Sequence, residues 1–114
     1  LYFGCRTEKD FFYKSEFDKW TQLDGIELKL ALSRDETRPK RYVQDLLWED
    51  RAEIVEWFRQ GAKFYTCGSA RKLGASVKEC FIRIVADAQQ CDETKAKEIW
   101  EKISLDRYSV DVFA

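Results

Sequence analysis

The feature that most constrains this chain is a regular alternation between short apolar runs and longer stretches with apolar residues at helical spacing. Four runs have the length and composition of strands, namely LYFGCR (1–6), IELKLALS (26–33), KFYTCGS (63–69) and RYSVDVFA (107–114). Between them, apolar residues recur every three or four positions, as on one face of a helix. The alternation predicts an α/β fold, an open parallel sheet with helices on both faces.

Four helices are predicted between and after these strands. The first begins after Asp10, a typical N-cap residue, and ends near Gly25. The second covers residues 42–61, and the third follows the KFYTCGS strand. The fourth begins after Asp92, with Ala96 and Trp100 on its inward face.

Length and net charge indicate how many domains the chain forms and which kinds of partner it can attract. The chain has 114 residues, no linker and no repeat, so residues 1–114 are predicted to belong to one domain. Its net charge is −1, which gives no general attraction to nucleic acid or to a membrane surface. No apolar run approaches the roughly 20 residues that span a bilayer. These features predict a soluble cytoplasmic protein without membrane contact by this segment.

The cysteines do not predict a metal site. Cys5, Cys67, Cys80 and Cys91 are widely spaced without a CxxC pair, and the chain contains no histidine. Reduced thiols are the expected state inside cells.

Small, polar and basic residues follow three of the predicted strands. In open parallel α/β sheets, ligands bind at the carboxyl ends of the strands. This rule selects three groups of residues, which are Gly4, Cys5 and Arg6, then Ser33 and Arg34, and then Cys67, Gly68 and Ser69.

The second of these strand ends opens a strongly basic turn. The turn contains four cations, namely Arg34, Arg38, Lys40 and Arg41. The hydroxyl of Ser33, the guanidinium of Arg34 and the ammonium of Lys40 together suit a phosphate group. On charge pattern alone, a solvated loop whose arginines pair with Asp35 and Glu36 is the better explanation of the turn. No glycine-rich phosphate loop occurs in the sequence, so part of any nucleotide site is expected elsewhere.

Four motifs in order, LYFGCR, LALSRDETRPKRYVQDLL, FYTCGSARKL and RYSVDVFA, resemble the C-terminal NADPH-binding region of the diflavin reductases. These enzymes contain FAD and FMN and serve haem-thiolate monooxygenases, and the resemblance is strongest to the reductase end of fungal-type self-sufficient fatty-acid hydroxylases. It implies a ferredoxin-NADP reductase-like NADP-binding domain with strand order 3-2-1-4-5. The chain would lack the first, central strand and its glycine-rich loop, and so would contain the two flanks of that sheet.

The resemblance implies which residues lie at each end of NADPH. The 2′-phosphate and adenosine end of NADPH would be held by Ser33, Arg34, Lys40, Tyr42 and Gln44, and Arg6 would lie near the cofactor. In contrast to these, Arg38 and Arg41 are expected to remain in solvent.

At the nicotinamide end, the resemblance implies that Cys67 assists hydride transfer to FAD, with Gly68 and Ser69 beside it. Phe113 would stack on the flavin ring, with Asp111 as the nearby acidic group. Many family members have Asp at the position of Ser69 and Trp at that of Phe113. The smaller ring is expected to loosen discrimination against NADH.

The implied function is hydride transfer from NADPH to FAD, followed by electron transfer through FMN to haem. The partners would be the FAD, FMN and haem domains, with the haem domain expected in the same chain and the fragment alone expected to be inactive. Two alternatives stay open at this point. One is a stand-alone NADPH-haemoprotein reductase that serves separate partners, and the other is a non-catalytic α/β binding module.

Overall fold

The computed structural model describes residues 1–7, 9, 14–23, 25–34, 37 and 39–113, with the backbone alone for residues 112 and 113. The chain divides into two compact units, an N-terminal unit, Leu1–Leu46, and a C-terminal unit, Leu47–Ala114. Each is described separately below. The single domain expected from the sequence stays a prediction.

The N-terminal unit is built on a parallel pair of strands. Its elements are β1 (Tyr2–Cys5), α1 (Lys14–Trp20), β2 (Lys29–Leu32) and the first residues of α2 (Val43–Glu49). The pairing runs from Tyr2 opposite Lys29 to Cys5 opposite Leu32. Ala31 and Leu32 are buried, which explains why this strand becomes wholly apolar at its end.

Helix α1 ends before the predicted stop at Gly25. It ends at Trp20, whose ring packs edge-to-face on Phe17 with centroids 5.1 Å apart. Residues 21–23 form turns and a bend, and Gly25 has a φ of 88°. Asp10, the predicted N-cap, lies outside the described residues.

The start of α2 is fixed by packing and by a cap. A Cβ added to Gly4 of β1 would lie 3.0 Å from Cγ2 of Val43, so glycine allows the helix to approach the strand closely. The backbone N–H of Tyr42 donates to Oδ2 of Asp45 at 2.8 Å, one half of a capping box. These contacts hold the first turn of α2 against β1.

The predicted helix over residues 42–61 is two helices, α2 and α3 (Arg51–Arg59). The break falls at Asp50, whose φ of −90° and ψ of 12° lie outside the helical region. The Arg51 guanidinium donates to the carbonyl oxygen of Trp48 at 3.0 Å, which satisfies a group at the end of α2.

The C-terminal unit contains the second parallel pair. After α3 come β3 (Phe64–Ser69), a π-helical turn (Ala70–Gly74), α4 (Ala75–Gln89), α5 (Glu93–Arg107) and β4 (Tyr108–Phe113). Strands β3 and β4 pair in parallel, from Phe64 opposite Tyr108 to Ser69 opposite Phe113. The α/β class with parallel strands is therefore confirmed. The strands form two separate two-stranded sheets, β1 with β2 and β3 with β4, as expected of two flanks without the central strand.

The core of the C-terminal unit is an aromatic cluster, formed by Phe64, Phe81, Trp100 and Tyr108. The rings of Phe81 and Trp100 stack with centroids 5.2 Å apart, and Tyr108 meets both rings edge-on. Phe64 lies 5.3 Å from Phe81, centroid to centroid. Strands and helices of this unit are thus joined by ring contacts, which add to the free energy of apolar burial.

Two residues define the ends of α5. The prediction that Asp92 caps this helix is confirmed, since its Oδ1 accepts from the backbone N–H of Lys95 at 2.8 Å. Arg107 ends the helix rather than beginning the last strand. Its guanidinium donates to the carbonyl oxygens of Phe58 and Ala62, which lie at the end of α3 and just beyond it. No helix in the described part of the chain is long and apolar enough to cross a membrane.

Candidate functional site

Two arginines lie side by side at the carboxyl end of the N-terminal pair of strands. The parallel hydrogen bonds continue beyond the strands, where the backbone N–H of Ser33 donates to the Cys5 carbonyl at 3.0 Å and that of Arg34 to the Arg6 carbonyl at 2.8 Å. Arg6 and Arg34 are both exposed. The fold therefore brings together Arg6 and Arg34, two of the residues that the strand-end rule selected from the sequence.

The basic turn is closed at its base. The backbone N–H of Arg41 donates to the Leu32 carbonyl at 3.0 Å, so the chain leaves β2 at Ser33 and returns beside it. Close to this return, Nζ of Lys40 lies 5.2 Å from the centroid of the Tyr42 ring, within cation–π range. Lys40 and Tyr42 are exposed. Ser33 and Arg34 thus lie at one end of a closed loop, and Lys40 and Tyr42 at the other.

Two cations of this turn, Arg34 and Lys40, are exposed. Among the described residues, no carboxylate forms an ion pair with Arg34 or Lys40. Asp35 and Glu36, the partners in the solvated-loop interpretation, lie outside the described residues. The donors present are a hydroxyl, a guanidinium and an ammonium, a set whose chemistry fits phosphate oxygens.

Two further residues of this region, Arg41 and Gln44, are less exposed than Arg34 and Lys40. Arg41, expected in solvent, is partly buried, and its Nη2 atom is inaccessible to water. Gln44 lies in the first turn of α2 and is also partly buried. Arg38 lies outside the described residues.

The C-terminal unit presents a second candidate surface, on the sheet of β3 and β4. Cys67 pairs in register with Asp111, and Tyr65 with Ser109, so these four residues share one face of the sheet. All four are exposed, Tyr65 to 77%. We call this surface the open face. It brings together Cys67 and Asp111, two of the three predicted catalytic residues.

Phe113 and Ser69 end the two strands. They are register partners, which places the backbone of Phe113 two residues beyond Asp111 along the same strand. The Ser69 hydroxyl is used inside the chain, since it accepts from the backbone N–H of Lys72 at 3.4 Å and caps the π-helical turn. Single π-helical turns are frequent at functional sites.

Gly68 lies close to the side chain of Leu73. Its φ is 152°, a conformation that favours glycine, and an added Cβ would lie 2.6 Å from Cδ2 of Leu73. In the structure, the Leu73 side chain occupies the space beside the Gly68 α-carbon.

Sequence reasoning missed Tyr65 and Ser109 as members of the open face. The signal was present in the period of two along KFYTCGS and RYSVDVFA, because residues 65 and 67 of one strand, and 109 and 111 of the other, must point to the same side. In the described residues, no group of three or more His, Cys, Asp or Glu side chains is arranged to hold a metal ion.

Comparison with known proteins gives a match to one family. Residues 1–79 match the model of the oxidoreductase NAD-binding domain. The matched region contains the basic turn and all of β3.

Curated relatives are similar over almost the whole chain. The bifunctional cytochrome P450/NADPH–P450 reductase of Fusarium oxysporum is 34% identical over 121 residues, 99% of this chain and 11% of the relative. The NADPH–cytochrome P450 reductase of Candida tropicalis is 35% identical over 117 residues, 99% of this chain and 17% of the relative. The sulfite reductase [NADPH] flavoprotein alpha-component of Salmonella paratyphi B is 34% identical over 116 residues, 99% of this chain and 19% of the relative. The similarity to P450 reductases that the motifs indicated is confirmed, and the chain spans less than a fifth of the length of these relatives.

Proposed function

Because this chain belongs to the oxidoreductase NAD-binding domain family, we propose that it is the NADPH-binding part of a larger reductase. The observation that carries the proposal is the closed basic turn. It holds Arg34 and Lys40 at its two ends, and neither cation forms an ion pair with a carboxylate in the described residues.

The basic turn selects the 2′-phosphate of NADPH. The guanidinium of Arg34 presents a planar set of donors, the Ser33 hydroxyl adds one more, and Lys40 contributes a positive charge. Tyr42 supports Lys40 through its ring and offers a flat surface to the adenine. The hydrogen bonds from Arg34 to Arg6 and from Arg41 to Leu32 fix the backbone at both ends of the loop, so these two ends lose little conformational freedom on binding.

The open face orients the reacting end of the cofactor. Cys67 and Asp111 are exposed and adjacent across the sheet, which supports a position beside the nicotinamide for both. The Cys67 thiol is a weak hydrogen-bond donor and the Asp111 carboxylate an acceptor, so together they present both kinds of group. Phe113, at the end of the same strand, is proposed as the residue that stacks on the flavin. In the intact enzyme NADPH supplies a hydride to FAD, from which electrons pass through FMN to haem.

The organisation of the whole protein is the finer part of the proposal. We favour a haem domain fused to the reductase in one chain, as the name of the Fusarium oxysporum relative describes for that protein. The alternative is a separate reductase, as in the Candida tropicalis relative. The optical spectrum of the purified full-length protein separates them, since a haem Soret band beside the flavin bands supports the fusion.

The test of the nucleotide site uses the full-length reductase. Arg34→Ala and Lys40→Ala should each raise the KM for NADPH about tenfold or more, because a charge-assisted hydrogen bond contributes roughly 1.5–3 kcal/mol. The KM for NADH should be nearly unchanged. Arg59→Ala and Lys63→Ala, which remove exposed cations of the C-terminal unit, are the matched controls. Equal losses with NADPH and NADH would contradict the assignment to the 2′-phosphate.

A further inference from the structure

Tyr42 lies where the basic turn ends and α2 begins, and Asp45 bonds to both polar groups of its backbone. The N–H of Tyr42 donates to Oδ2 of Asp45 at 2.8 Å. The carbonyl oxygen of Tyr42 accepts from the backbone N–H of Asp45 at 3.0 Å and, over a longer 3.4 Å, from that of Leu46. The side chain and the backbone of Asp45 therefore hold Tyr42 in one orientation.

The orientation of Tyr42 also affects Lys40. Nζ of Lys40 lies 5.2 Å from the centroid of the Tyr42 ring, and both residues are exposed. An exposed lysine has many conformers, and contact with the ring favours those that keep the ammonium near the end of the turn. The conformers open to a tyrosine ring depend on its own backbone, so a change at Asp45 is passed on to the Lys40 ammonium.

The residues on either side of Tyr42 are held by other contacts. The backbone N–H of Arg41 donates to the Leu32 carbonyl at 3.0 Å, and Val43 packs closely on Gly4 of β1. These contacts fix the path of the chain before and after Tyr42. The side-chain oxygen of Asp45 acts on Tyr42 itself, and its negative charge suits the first turn of a helix.

We propose that Asp45 is a positioning residue for the 2′-phosphate of NADPH, and that it acts by holding Tyr42 and, through Tyr42, the ammonium of Lys40. The inference rests on the proposed function of the basic turn. Asp45 acts without touching the phosphate, since like charges repel. When the bond from Tyr42 to Oδ2 is lost, fewer molecules hold Lys40 in place, and the apparent affinity for NADPH falls with that fraction.

The test compares KM and kcat for NADPH and NADH in the full-length reductase. Asp45→Ala should raise the KM for NADPH roughly three- to tenfold, the factor that one hydrogen bond contributes to an equilibrium, with little change in kcat. The KM for NADH should rise less, because NADH has no 2′-phosphate. Asp45→Asn keeps an oxygen acceptor and should restore most of the affinity for NADPH.

Asp92→Ala is the matched control. It removes a bond of the same kind and length at the start of α5, where Oδ1 of Asp92 accepts from the backbone N–H of Lys95 at 2.8 Å. It should weaken folding to a similar extent and leave both KM values unchanged. An equal rise in the KM for NADPH in Asp45→Ala and Asp92→Ala would mean that Asp45 only stabilises the fold, and would overturn the proposal.

A double variant tests whether Asp45 acts through Lys40. In a Lys40→Ala background, Asp45→Ala should change the KM for NADPH little further, whereas independent effects would multiply. Multiplied effects, a lowered KM for NADPH in Asp45→Ala, or no recovery in Asp45→Asn would each overturn the proposal. Asp45→Ser, whose shorter side chain holds its oxygen farther from the Tyr42 N–H, replaces Asp45→Ala if that variant does not fold.

The Lys40 variant also separates this inference from the proposed function. If Lys40→Ala raises the KM for NADPH and Asp45→Ala does not, the role of Asp45 alone is refuted. If Lys40→Ala leaves the KM for NADPH unchanged, the assignment of the basic turn to the 2′-phosphate fails, and the role of Asp45 fails with it.

Discussion

Gly68, at the end of β3, is the position where a single methyl group should disturb the candidate site most. Its φ of 152° is one that residues with a side chain rarely adopt. In Gly68→Ala the new Cβ would lie 2.6 Å from Cδ2 and 3.4 Å from Cβ of Leu73. The variant therefore combines backbone strain with a steric collision, next to Cys67 and Ser69.

The expected loss of stability is the sum of two contributions. A side chain held in a sparsely populated backbone region costs on the order of 1–3 kcal/mol. The Cδ2 atom is the far end of a flexible side chain, so Leu73 can move away, but an off-rotamer position costs roughly 0.5–1.5 kcal/mol. Gly68→Ala should therefore lower the free energy of unfolding by about 2–4 kcal/mol. That is a large share of the roughly 5–15 kcal/mol typical of a folded domain.

Urea unfolding followed by circular dichroism measures this loss, and Gly61→Ala is the matched control. Gly61 has a φ of 100° but nothing within 4 Å of an added Cβ, so its variant should show backbone strain alone, about 1–2 kcal/mol. A Gly68→Ala/Leu73→Ala double variant then measures the coupling between the two positions. If Gly68→Ala costs no more than Gly61→Ala, or if the coupling is zero, Leu73 does not shape this strand end and the reasoning is refuted.

Three further predictions concern single side chains. Exposed Cys67 should react with a thiol reagent in the folded chain, whereas Cys80, 3% exposed, should react only on unfolding, and equal rates would be inconsistent with the burial described above. Asp92→Ala should lower the free energy of unfolding in urea by about 1 kcal/mol, because the cap on the Lys95 N–H is lost. Asp92→Asn keeps an acceptor and should cost less, and equal costs would argue against the cap. In the full-length reductase, Phe113→Trp should sharpen the preference for NADPH over NADH in steady-state turnover, and an unchanged preference would eliminate the proposed role of ring size.

Features that depend on neighbouring residues could be predicted from the sequence. Asp92 is an example, since a carboxylate before a helix can accept from an N–H three residues later whatever surrounds it. The strand KFYTCGS is another, because its composition and its period of two are local properties. The strand end beside Arg34 was predicted by a general rule for parallel sheets, which needs only the order of the elements.

The break between α2 and α3 could not be predicted in this way. The apolar spacing continues across Asp50, and nothing in the local pattern marks an end. The structure shows that distant groups support the break. Arg51 lies 4.4 Å from the Trp48 ring, and Arg83, from α4, lies 4.2 Å from the same ring. Arg51 also pairs with Asp87 at 3.4 Å, so the bend depends on tertiary contacts.

The closed form of the basic turn has a similar origin. The sequence shows four cations but not which of them point to solvent. Arg41 donates its backbone N–H to Leu32 and is partly buried, whereas Lys40, one residue earlier, is exposed. The difference between these two neighbouring cations arises where the loop closes on β2, a property of the fold and not of the local charge pattern.

The exposure of Cys67 and Asp111 is determined by residues that touch no ligand in the proposed function. Phe64 and Tyr108 must face the helices because their rings pack on the aromatic cluster, and alternation along a strand then sends residues 67 and 111 to the other face. The Tyr108 hydroxyl bonds to Oγ1 of Thr66 at 2.9 Å, which favours this register. A slip of one residue would turn Asp111 toward the apolar helices at a high cost in free energy and would expose Tyr108. The hydrophobic core thus selects which face of the sheet can carry the chemistry.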